Sequence, residues 1–264
     1  MSASTLAPEA FAARLSGRTS WLAHAHEHLA SVASTNDEAA RLAAGGAAHG
    51  TLITADEQTA GRGRQGHVWF APAGQNLTFS LVLRPDIAPS AAPAIALAVG
   101  LGIAEGLEVQ LAPAGKSAAV KWPNDVRVAR RKIAGVLTEL KADTRRIEHV
   151  IVGVGLNVNT RAFPDNLAAP ATSLALELGA DREPADVLAD VLPPLERWID
   201  RFIDDGAAPV VEAFVARGDF LGHPVRIGAL HGEALGLDAD GALRLRLDSG
   251  EERRVLAGDL HDHE

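Results

Sequence analysis

Residues 91–111 limit the possible folds more than any other part of this chain. The segment is rich in Ala, Leu and Ile, and its only charged side chains are Glu105 and Glu108. A helix that is apolar on all sides belongs in a protein interior. We therefore expect a long buried helix here, broken near Gly115.

Strand patterns surround this helix. Residues 51–58 and 76–84 are rich in strand-forming residues, and residues 149–159 predict an apolar strand that ends in a polar loop. Three further short strands with tight turns are expected within residues 118–141. Because strands and helices follow one another without a regular strand–helix–strand rhythm, we predict an α+β fold in which helices pack on a mixed sheet.

Three more helices are predicted. Ser34-Thr35-Asn36-Asp37-Glu38 indicates a helix start, because Thr35 and Glu38 have the spacing of a capping box. Gly45-Gly46 is expected to end that helix. Residues 184–205 and 209–217 are also predicted to be helical.

The sequence changes character near Gly222. Four short alternating segments, PVRIG, EALGLD, ALRLRLD and ERRVL, are separated by Gly and Asp turns. They predict a small antiparallel barrel or sandwich of about 40 residues, a size that barely folds alone. We therefore expect a main domain at residues 1–220 and a C-terminal domain at residues 221–264 that docks on it.

Composition and charge exclude several functional classes. The chain has 264 residues and no cysteine, which removes disulfides, thiolate metal sites and cysteine nucleophiles. No apolar run is expected to reach the roughly 18 residues of a membrane span, and the N-terminus lacks a signal-peptide pattern. A cytoplasmic protein is therefore predicted. The net charge of -9 is unusual for a dedicated nucleic-acid-binding protein.

Residues 61–69, GRGRQGHVW, have neither helical nor strand periodicity. Glycines let backbone N–H groups approach a phosphate, and Arg62 and Arg64 can supply bidentate donors. The pattern is neither a P-loop nor the Gly-rich turn of dinucleotide-binding folds. It predicts an anion-binding loop, with a mobile surface loop as the alternative.

Two further motifs carry polar chemistry. KWPND, residues 121–125, combines a cation, an aromatic ring, a rigid proline and two polar turn residues. RKIAG, residues 131–135, places Lys132 before small residues that let a ligand approach the backbone. A lysine beside Arg130 and Arg131 is more often a solvated surface residue. Taken alone, Lys132 is therefore compatible with a surface position and with a catalytic role.

Taken together, these segments resemble the biotin protein ligases, also called biotin–acetyl-CoA-carboxylase ligases. The resemblance runs from about Ser31 to the C-terminus, and its motifs are Gln58, GRGRQGHVW, Asn76, KWPND, RKIAGVLTEL and VGVGLNVN. It implies a catalytic domain that binds biotin and ATP, followed by a small SH3-like β-barrel. It also implies the activity: biotin is activated with ATP and Mg²⁺ as biotinyl-AMP. The biotinyl group then passes to a lysine of the biotin carboxyl carrier domain of a biotin-dependent carboxylase.

The resemblance implies roles for individual residues. Lys132 is expected to bridge the biotin carboxylate and the α-phosphate, and Arg64 to close over the intermediate, because fixed cations must offset the repulsion between two anions. Asp125 is a weak candidate ligand for Mg²⁺. The expected biotin-binding residues are Ser34, Thr35, Asn36, Gln58, Gly61, Arg62, Gly63, Arg64, Lys132 and Gly135. The expected nucleotide-binding residues are Arg64, Trp69, Asn124 and Asn157.

The glycine–arginine loop departs from the family at Gln65 and His67, where members often carry basic residues. The loop therefore carries less positive charge than in many members of the family. This difference bears on how tightly the loop retains the adenylate, and not on whether the adenylate forms. Ordering a backbone costs ~1–2 kcal/mol per residue, and more for glycine. We therefore expect residues 61–68 to be poorly ordered until a ligand offsets that cost.

Other functions remain open. A lipoate ligase shares the general fold and the acyl-adenylate chemistry, although the motifs favour biotin, and a biotin sensor without turnover is also possible. A nucleic-acid-binding protein is disfavoured by the charge and by the lack of interleaved aromatic residues. Only 20 residues precede Trp21, too few for a helix-turn-helix domain. We expect a monofunctional ligase without specific DNA binding, as a monomer or weak homodimer.

The histidine-rich segment HAHEH, residues 24–28, invites a metal-site interpretation. On a strand, His24, His26 and His28 would share one face. The sequence shows no zinc-ligand spacing elsewhere that would complete such a site. An ordinary exposed strand edge is therefore predicted.

Overall fold

The computed structural model describes residues 4–167 and 169–262. Its helices are α1 (Pro8–Leu15), α2 (Thr35–Ala44), α3 (Ile95–Leu111), α4 (Leu174–Leu178), α5 (Pro184–Asp205) and α6 (Ala207–Arg217). Its strands are β1 (His26–Leu29), β2 (Thr51–Ala55), β3 (Leu77–Leu83), β4 (Ala119–Lys121), β5 (Asp125–Val128), β6 (Arg131–Ala142), β7 (Ile147–Leu156), β8 (Pro224–Ile227), β9 (Leu230–Leu237), β10 (Leu243–Leu247), β11 (Glu252–Val255) and β12 (Leu260–Asp262).

A mixed seven-stranded sheet forms the main layer, in the order β1-β2-β3-β7-β6-β5-β4. Strands β1 and β2 run parallel, and the other neighbouring pairs are antiparallel. This arrangement confirms the predicted α+β class. The three strands expected within residues 118–141 are β4, β5 and β6, but β6 is a long strand of 12 residues and not a short one. The turns between them place the KWPND and RKIAG motifs side by side.

Helices cover both faces of this sheet. On one face, Ala39 and Ala43 of α2 pack against Ile53, Val82 and Ile151. On the other face, α3, α5 and α6 pack in the main core. Because side chains alternate along a strand, the α2 face of β3 also carries a buried hydroxyl, which belongs to the candidate site.

The apolar helix α3 lies in the main core, as predicted, and Gly115 adopts the left-handed conformation beyond its end. It begins at Ile95, because Pro89–Ala94 forms a 3-10 turn instead. Two glycines allow its close contact with α5. A Cβ on Gly102 would lie 2.5 Å from Leu195 Cα, and a Cβ on Gly106 would lie 2.6 Å from Val191 Cα.

The expectation that no apolar segment is long enough to span a membrane is wrong. The segment Pro89–Ala114 is sufficiently long and apolar by length and composition, but 78% of its most apolar window is buried inside the protein. Its neighbours are the other core elements, so within this fold its apolar surface is covered by protein.

A five-stranded antiparallel sheet, in the order β11-β10-β9-β8-β12, follows near the C-terminus. Its Val225, Leu243 and Leu245 belong to the same core cluster as α3. The indole Nε1 of Trp122 donates a hydrogen bond to the carbonyl of Gly241 at 3.0 Å. The C-terminal sheet therefore docks on the main sheet, as expected of an SH3-like module. The domain boundary at residues 220/221 stays a prediction.

Candidate active site

One cavity of about 440 Å³ lies where β4, β5, β6 and β7 meet the glycine–arginine loop and the C-terminal sheet. Nearly all of the site residues predicted from sequence line it. They are Ser34, Thr35, Asn36, Gln58, Arg62, Gly63, Arg64, Trp69, Asn124, Lys132, Gly135 and Asn157. Gly61 is the exception: it is a buried residue at the start of the loop, where a Cβ would come within 3.1 Å of the carbonyl oxygen of Trp69.

Buried polar groups at the N-terminus of α2 form one end of the cavity. The backbone N–H and the hydroxyl of Thr35 donate to Gln58 Oε1, at 2.8 and 3.1 Å. Ser80 of β3 lies 2.8 Å from Thr35 Oγ1 and donates to Asn36 Oδ1 at 2.7 Å. The capping-box prediction is therefore wrong. Ser34 is the N-cap residue, and the Thr35 side chain is taken up by the cavity network.

Glu139 links this polar end to the glycine–arginine loop. Its carboxylate accepts hydrogen bonds from Asn36 Nδ2 at 2.8 Å and from the Arg62 guanidinium at 3.1 Å. Arg62 also pairs with Asp37 at 2.7 Å. The hydrogen bond to Asp37 is the main cause of the raised pKa of Arg62. The cation therefore stays charged and fastens the loop to α2 and β6.

Two lysines and one carboxylate lie along the cavity wall. Lys132 Nζ lies 2.6 Å from Asp125 Oδ1, and Lys121 Nζ lies 3.5 Å from Asp125 Oδ2. Burial favours the neutral form of Asp125, but the two lysines outweigh it and hold the pKa of that carboxyl below its usual range. Burial lowers the pKa of Lys121, although Asp125 opposes the shift. The cluster presents more positive than negative charge to the cavity.

Two glycines make room for the Lys132 and Trp69 side chains. A Cβ on Gly135 would lie 3.0 Å from Lys132 Nζ, and a Cβ on Gly155 would lie 2.1 Å from Trp69 Cε2. Lys132 Nζ lies 5.6 Å from the centroid of the Trp69 ring, within the range of a cation–π contact. A Cβ at position 135 would thus displace the flexible end of the Lys132 side chain, whereas a Cβ at position 155 would run into the rigid indole of Trp69.

Two buried polar atoms beside these side chains lack partners. Within residues 4–167 and 169–262, Trp69 Nε1 and Asn157 Oδ1 have no hydrogen-bond partner. Asn157 is nearly fully buried, and its Nδ2 donates to the carbonyl of Thr172 at 3.0 Å. A buried polar atom without a partner is costly. These two atoms are suited to a ligand that supplies the missing hydrogen bonds.

Arg64 connects the loop to the main sheet and to the C-terminal sheet. Its Nη1 donates to Asn124 Oδ1 at 3.2 Å and lies 3.3 Å from Asp259 Oδ1, in the segment leading into β12. Asn124 is held in turn, since its Nδ2 donates to the carbonyl of Val136 at 2.6 Å. The Arg64 guanidinium therefore points into the same cavity as Lys132.

The loop itself is a compact turn. The N–H of Gly63 donates to the carbonyl of His67 at 2.7 Å, and the N–H of Trp69 donates to the carbonyl of Gly61 at 3.0 Å. Gln65 and Gly66 have positive φ values of 52° and 79°. Glycine adopts such a conformation readily, which gives a local reason for Gly66.

None of the described residues, the histidine-rich segment included, belongs to a group of three or more potential metal ligands. His26 Nε2 and His28 Nδ1 both contact Thr54 Oγ1, at 2.8 and 3.0 Å. The prediction of an exposed edge is wrong for these two histidines. Both are half-buried, and His26 packs edge-on against Phe11.

Several residues that shape the site were not predicted from the sequence. Lys121 and Gly155 lie inside the motifs KWPND and VGVGLNVN, so the motif itself was the available signal. Glu139 lies inside the motif RKIAGVLTEL, so that motif was an available signal for it as well. Ser80 and Asp259 had no such signal, because their sequence neighbours show no pattern that marks a site.

Comparisons with known proteins agree with this geometry. The Biotin/lipoate A/B protein ligase family matches residues 29–157, and the Biotin protein ligase C terminal domain matches residues 220–260. The fold and site thus define a ligase of the biotin and lipoate class. A biotin--[acetyl-CoA-carboxylase] ligase from Paracoccus denitrificans is 37% identical over 233 residues, covering 85% of this chain and 95% of that protein. The chain belongs to the biotin protein ligase family.

Solved structures show the same fold. The biotin protein ligase from Aquifex aeolicus in complex with biotin and ATP matches with a TM-score of 0.76 and 29% identity, covering 91% of this chain and 100% of that one. The biotin protein ligase from Leishmania major in complex with biotinyl-5-AMP matches with a TM-score of 0.59 and 26% identity, covering 89% and 99%.

Proposed function

We propose that this enzyme activates biotin with ATP as biotinyl-AMP and transfers the biotinyl group to a lysine of a carrier protein. One observation carries the proposal: a single cavity joins a network of buried hydrogen-bonding groups at Thr35 and Gln58 to a cluster of cations at Lys132 and Arg64. Such a cavity suits a neutral polar head group at one end and phosphates at the other.

The uncharged end fits the bicyclic urea of biotin. Thr35, Asn36, Ser80 and Gln58 supply hydroxyl and amide groups, which can both donate and accept hydrogen bonds. Their mutual hydrogen bonds fix these groups before the ligand arrives. The biotin side chain would then extend towards Lys132, which would bring its carboxylate to the cations.

In the first step, a carboxylate oxygen of biotin attacks the α-phosphorus of ATP, and pyrophosphate leaves with the electron pair of the broken P–O bond. Two anions about 4 Å apart repel each other by about 4 kcal/mol at an effective dielectric constant near 20. Lys132 is our choice for the cation that offsets this repulsion, and Asp125 orients its ammonium group. Arg64 would bind the phosphate from the loop.

In the second step, the amine of the carrier lysine attacks the acyl carbon, and AMP leaves. The amide forms without an enzyme nucleophile, in accord with the absence of cysteine from the chain. Water must be excluded from the mixed anhydride. Residues 61–68, several of which line the cavity together with Lys132, are suited to cover it. The adenine end would use Trp69, Asn124 and Asn157, two of which carry the buried atoms without partners.

Mg²⁺ is expected to accompany ATP and to neutralise the phosphates. The described residues contain no group of three potential metal ligands, and both oxygens of Asp125 face lysines. These residues do not fit a dedicated protein site for Mg²⁺. Mg²⁺ commonly uses substrate phosphates and water with few protein ligands, so we propose that the nucleotide brings it.

The acceptor we propose is the biotin carboxyl carrier domain of a biotin-dependent carboxylase. The absence of specific DNA binding, the cytoplasmic location and the monomeric or weakly dimeric state stay predictions. A gel-shift assay tests the first of these, and sedimentation velocity tests the oligomeric state.

The deciding experiment is biotin-dependent exchange of labelled pyrophosphate into ATP. The full-length protein is assayed with biotin and, separately, with lipoate, beside the Lys132→Ala and Lys132→Arg variants. We expect exchange with biotin only, and a loss of at least about a hundredfold in Lys132→Ala, the scale seen when one transition-state donor is removed. Lys132→Arg retains the charge but not the compact ammonium group, so we expect partial activity.

The outcomes separate the alternatives. Exchange with lipoate rather than biotin would move the protein to the lipoate ligases. Biotin binding by calorimetry without any exchange would indicate a sensor. Undiminished exchange in a folded Lys132→Ala variant would remove Lys132 from its proposed role.

A further inference from the structure

The C-terminal sheet contributes part of the cavity wall. Asp259, Leu260 and His261 line the cavity together with the loop and the main sheet. This segment is firmly held, because Asp262 pairs with Arg127 at 2.8 Å and with Arg130 at 2.9 Å. Asp259 therefore lies on an anchored backbone beside β12.

Asp259 is directed at the loop cation. Its Oδ1 lies 3.3 Å from Arg64 Nη1, and both side chains are about a quarter exposed, at 24% each. The neighbouring His261 has a lowered pKa, chiefly because of burial and then because of Lys121. It is therefore mostly neutral near pH 7 and does not compete with Arg64 for this carboxylate.

The charges around the cavity show why this pair matters. Among its described lining residues, four side chains are cationic, and two carboxylates, Asp125 and Asp259, oppose them. Asp125 lies between the two lysines, and Arg62 is neutralised outside the cavity by Asp37 and Glu139. Asp259 is thus the carboxylate that faces Arg64.

We propose that Asp259 is a positioning and specificity-determining residue that occupies Arg64 until a phosphate replaces it. Carboxylates and phosphates are both bound by the guanidinium fork of arginine. The carboxylate holds Arg64 towards the cavity, and the phosphate of ATP or of the adenylate must displace it. The inference rests on the proposed function, because the phosphate comes from the nucleotide.

This exchange has a consequence for selectivity. Any anion that uses Arg64 must first break the pair with Asp259, and it then lies close to a second negative charge. A nucleotide that also contacts Lys132 and the Trp69 region offsets that loss. A small isolated anion has no such additional contacts, so Asp259 should disfavour its binding more strongly.

The test compares Asp259→Asn with wild type in the biotin-dependent exchange assay at saturating biotin. Asparagine keeps the shape and removes the charge. We expect the KM for ATP to fall by roughly two- to fivefold, the scale of a partly exposed ion pair, with a smaller change in kcat. The sulfate concentration that halves the rate should fall as well. Asp259→Ser serves as a second variant, and thermal melting checks that both are folded.

Two controls isolate the mechanism. Glu252→Gln removes a carboxylate of the same C-terminal sheet that pairs with Arg244 and Arg246 outside the cavity, so it should leave the KM for ATP unchanged. In an Arg64→Ala background, Asp259→Asn should no longer lower the KM for ATP, because its partner is gone.

Each result has one meaning. An unchanged or raised KM for ATP in folded Asp259→Asn and Asp259→Ser overturns the inference and leaves Asp259 as a structural clamp. A fall in KM that persists without Arg64 overturns it too. If the wild-type enzyme shows no biotin-dependent exchange, the proposed function fails, and this inference fails with it.

Discussion

Gly155→Ala should move Trp69 and impair the use of ATP. A Cβ on Gly155 would lie 2.1 Å from Trp69 Cε2 and 2.5 Å from its Cζ2 and Nε1. Ordinary van der Waals contact begins near 3.4 Å, so the indole ring must retreat by about 1.3 Å. Overpacking of this kind costs about 1–3 kcal/mol. Since each kcal/mol shifts the Tm of a chain of this size by about 2–4 °C, we expect a fall of about 2–12 °C.

The same movement should appear in the kinetics. Trp69 lies beside Lys132 and carries a buried Nε1 without a hydrogen-bond partner. Displacement of the ring therefore changes the proposed nucleotide end of the cavity more than the end formed by Thr35 and Gln58. We expect a severalfold rise in the KM for ATP in pyrophosphate exchange, on the scale of about 1 kcal/mol of lost contacts, and a smaller change in the KM for biotin.

Gly100→Ala is the matched control. Gly100 is a buried glycine of α3, and a Cβ there would lie 3.7 Å from Phe214 Cε2, an ordinary contact distance. Alanine favours the helix by up to about 1 kcal/mol over glycine. The Tm of this variant should therefore stay constant or rise, and its KM values should not change. A Gly155→Ala variant with wild-type Tm and wild-type KM for ATP would refute the steric reasoning.

Two other predictions concern pH and the loop. Burial, followed by the charge of His28, lowers the pKa of His26 to about 4. The unfolded chain therefore binds a proton between pH 6.5 and 4 that the folded protein does not. The free energy of unfolding should fall by up to about 3 kcal/mol as the pH decreases through this window. Denaturation of His26→Gln should lack this component, and equal pH profiles would contradict the assignment. Trypsin should cleave residues 61–68 in the ligand-free protein and more slowly with biotin and ATP present, because ligand contacts offset the cost of ordering the loop. Equal cleavage rates would contradict its role as a cover.

Much of the fold followed from local patterns. The strands β2, β3 and β7 and the helix α5 lie where β-formers and helical periodicity predicted them, because each pattern reports which side of an element faces the core. The capping box failed because two hydrogen-bonding groups competed for Thr35, and the tertiary partner, Gln58, prevailed over Glu38. The membrane-span expectation failed because composition alone does not reveal what covers an apolar helix.

The sequence by itself determined the chemistry available at the site. Lys132, Arg64 and Trp69 are within short motifs whose residue types suit anion binding, and the structure gathers them around one cavity. The residue types within a short motif can indicate anion binding because each motif forms a single turn or strand end, so its side chains are already close together.

Only the tertiary structure decided which distant side chains form ion pairs and hydrogen bonds with the residues of the site. Asp259 is nearly two hundred residues from Arg64 in sequence yet 3.3 Å away in space. Glu139 reaches Asn36 from a strand more than a hundred residues later. Such contacts depend on how β6, β12 and α2 pack, and packing is a property of the whole core. No local periodicity encodes it, which is why the cations were predictable from their motifs, whereas the pairing of Arg64 with Asp259 and of Arg62 with Glu139 was not.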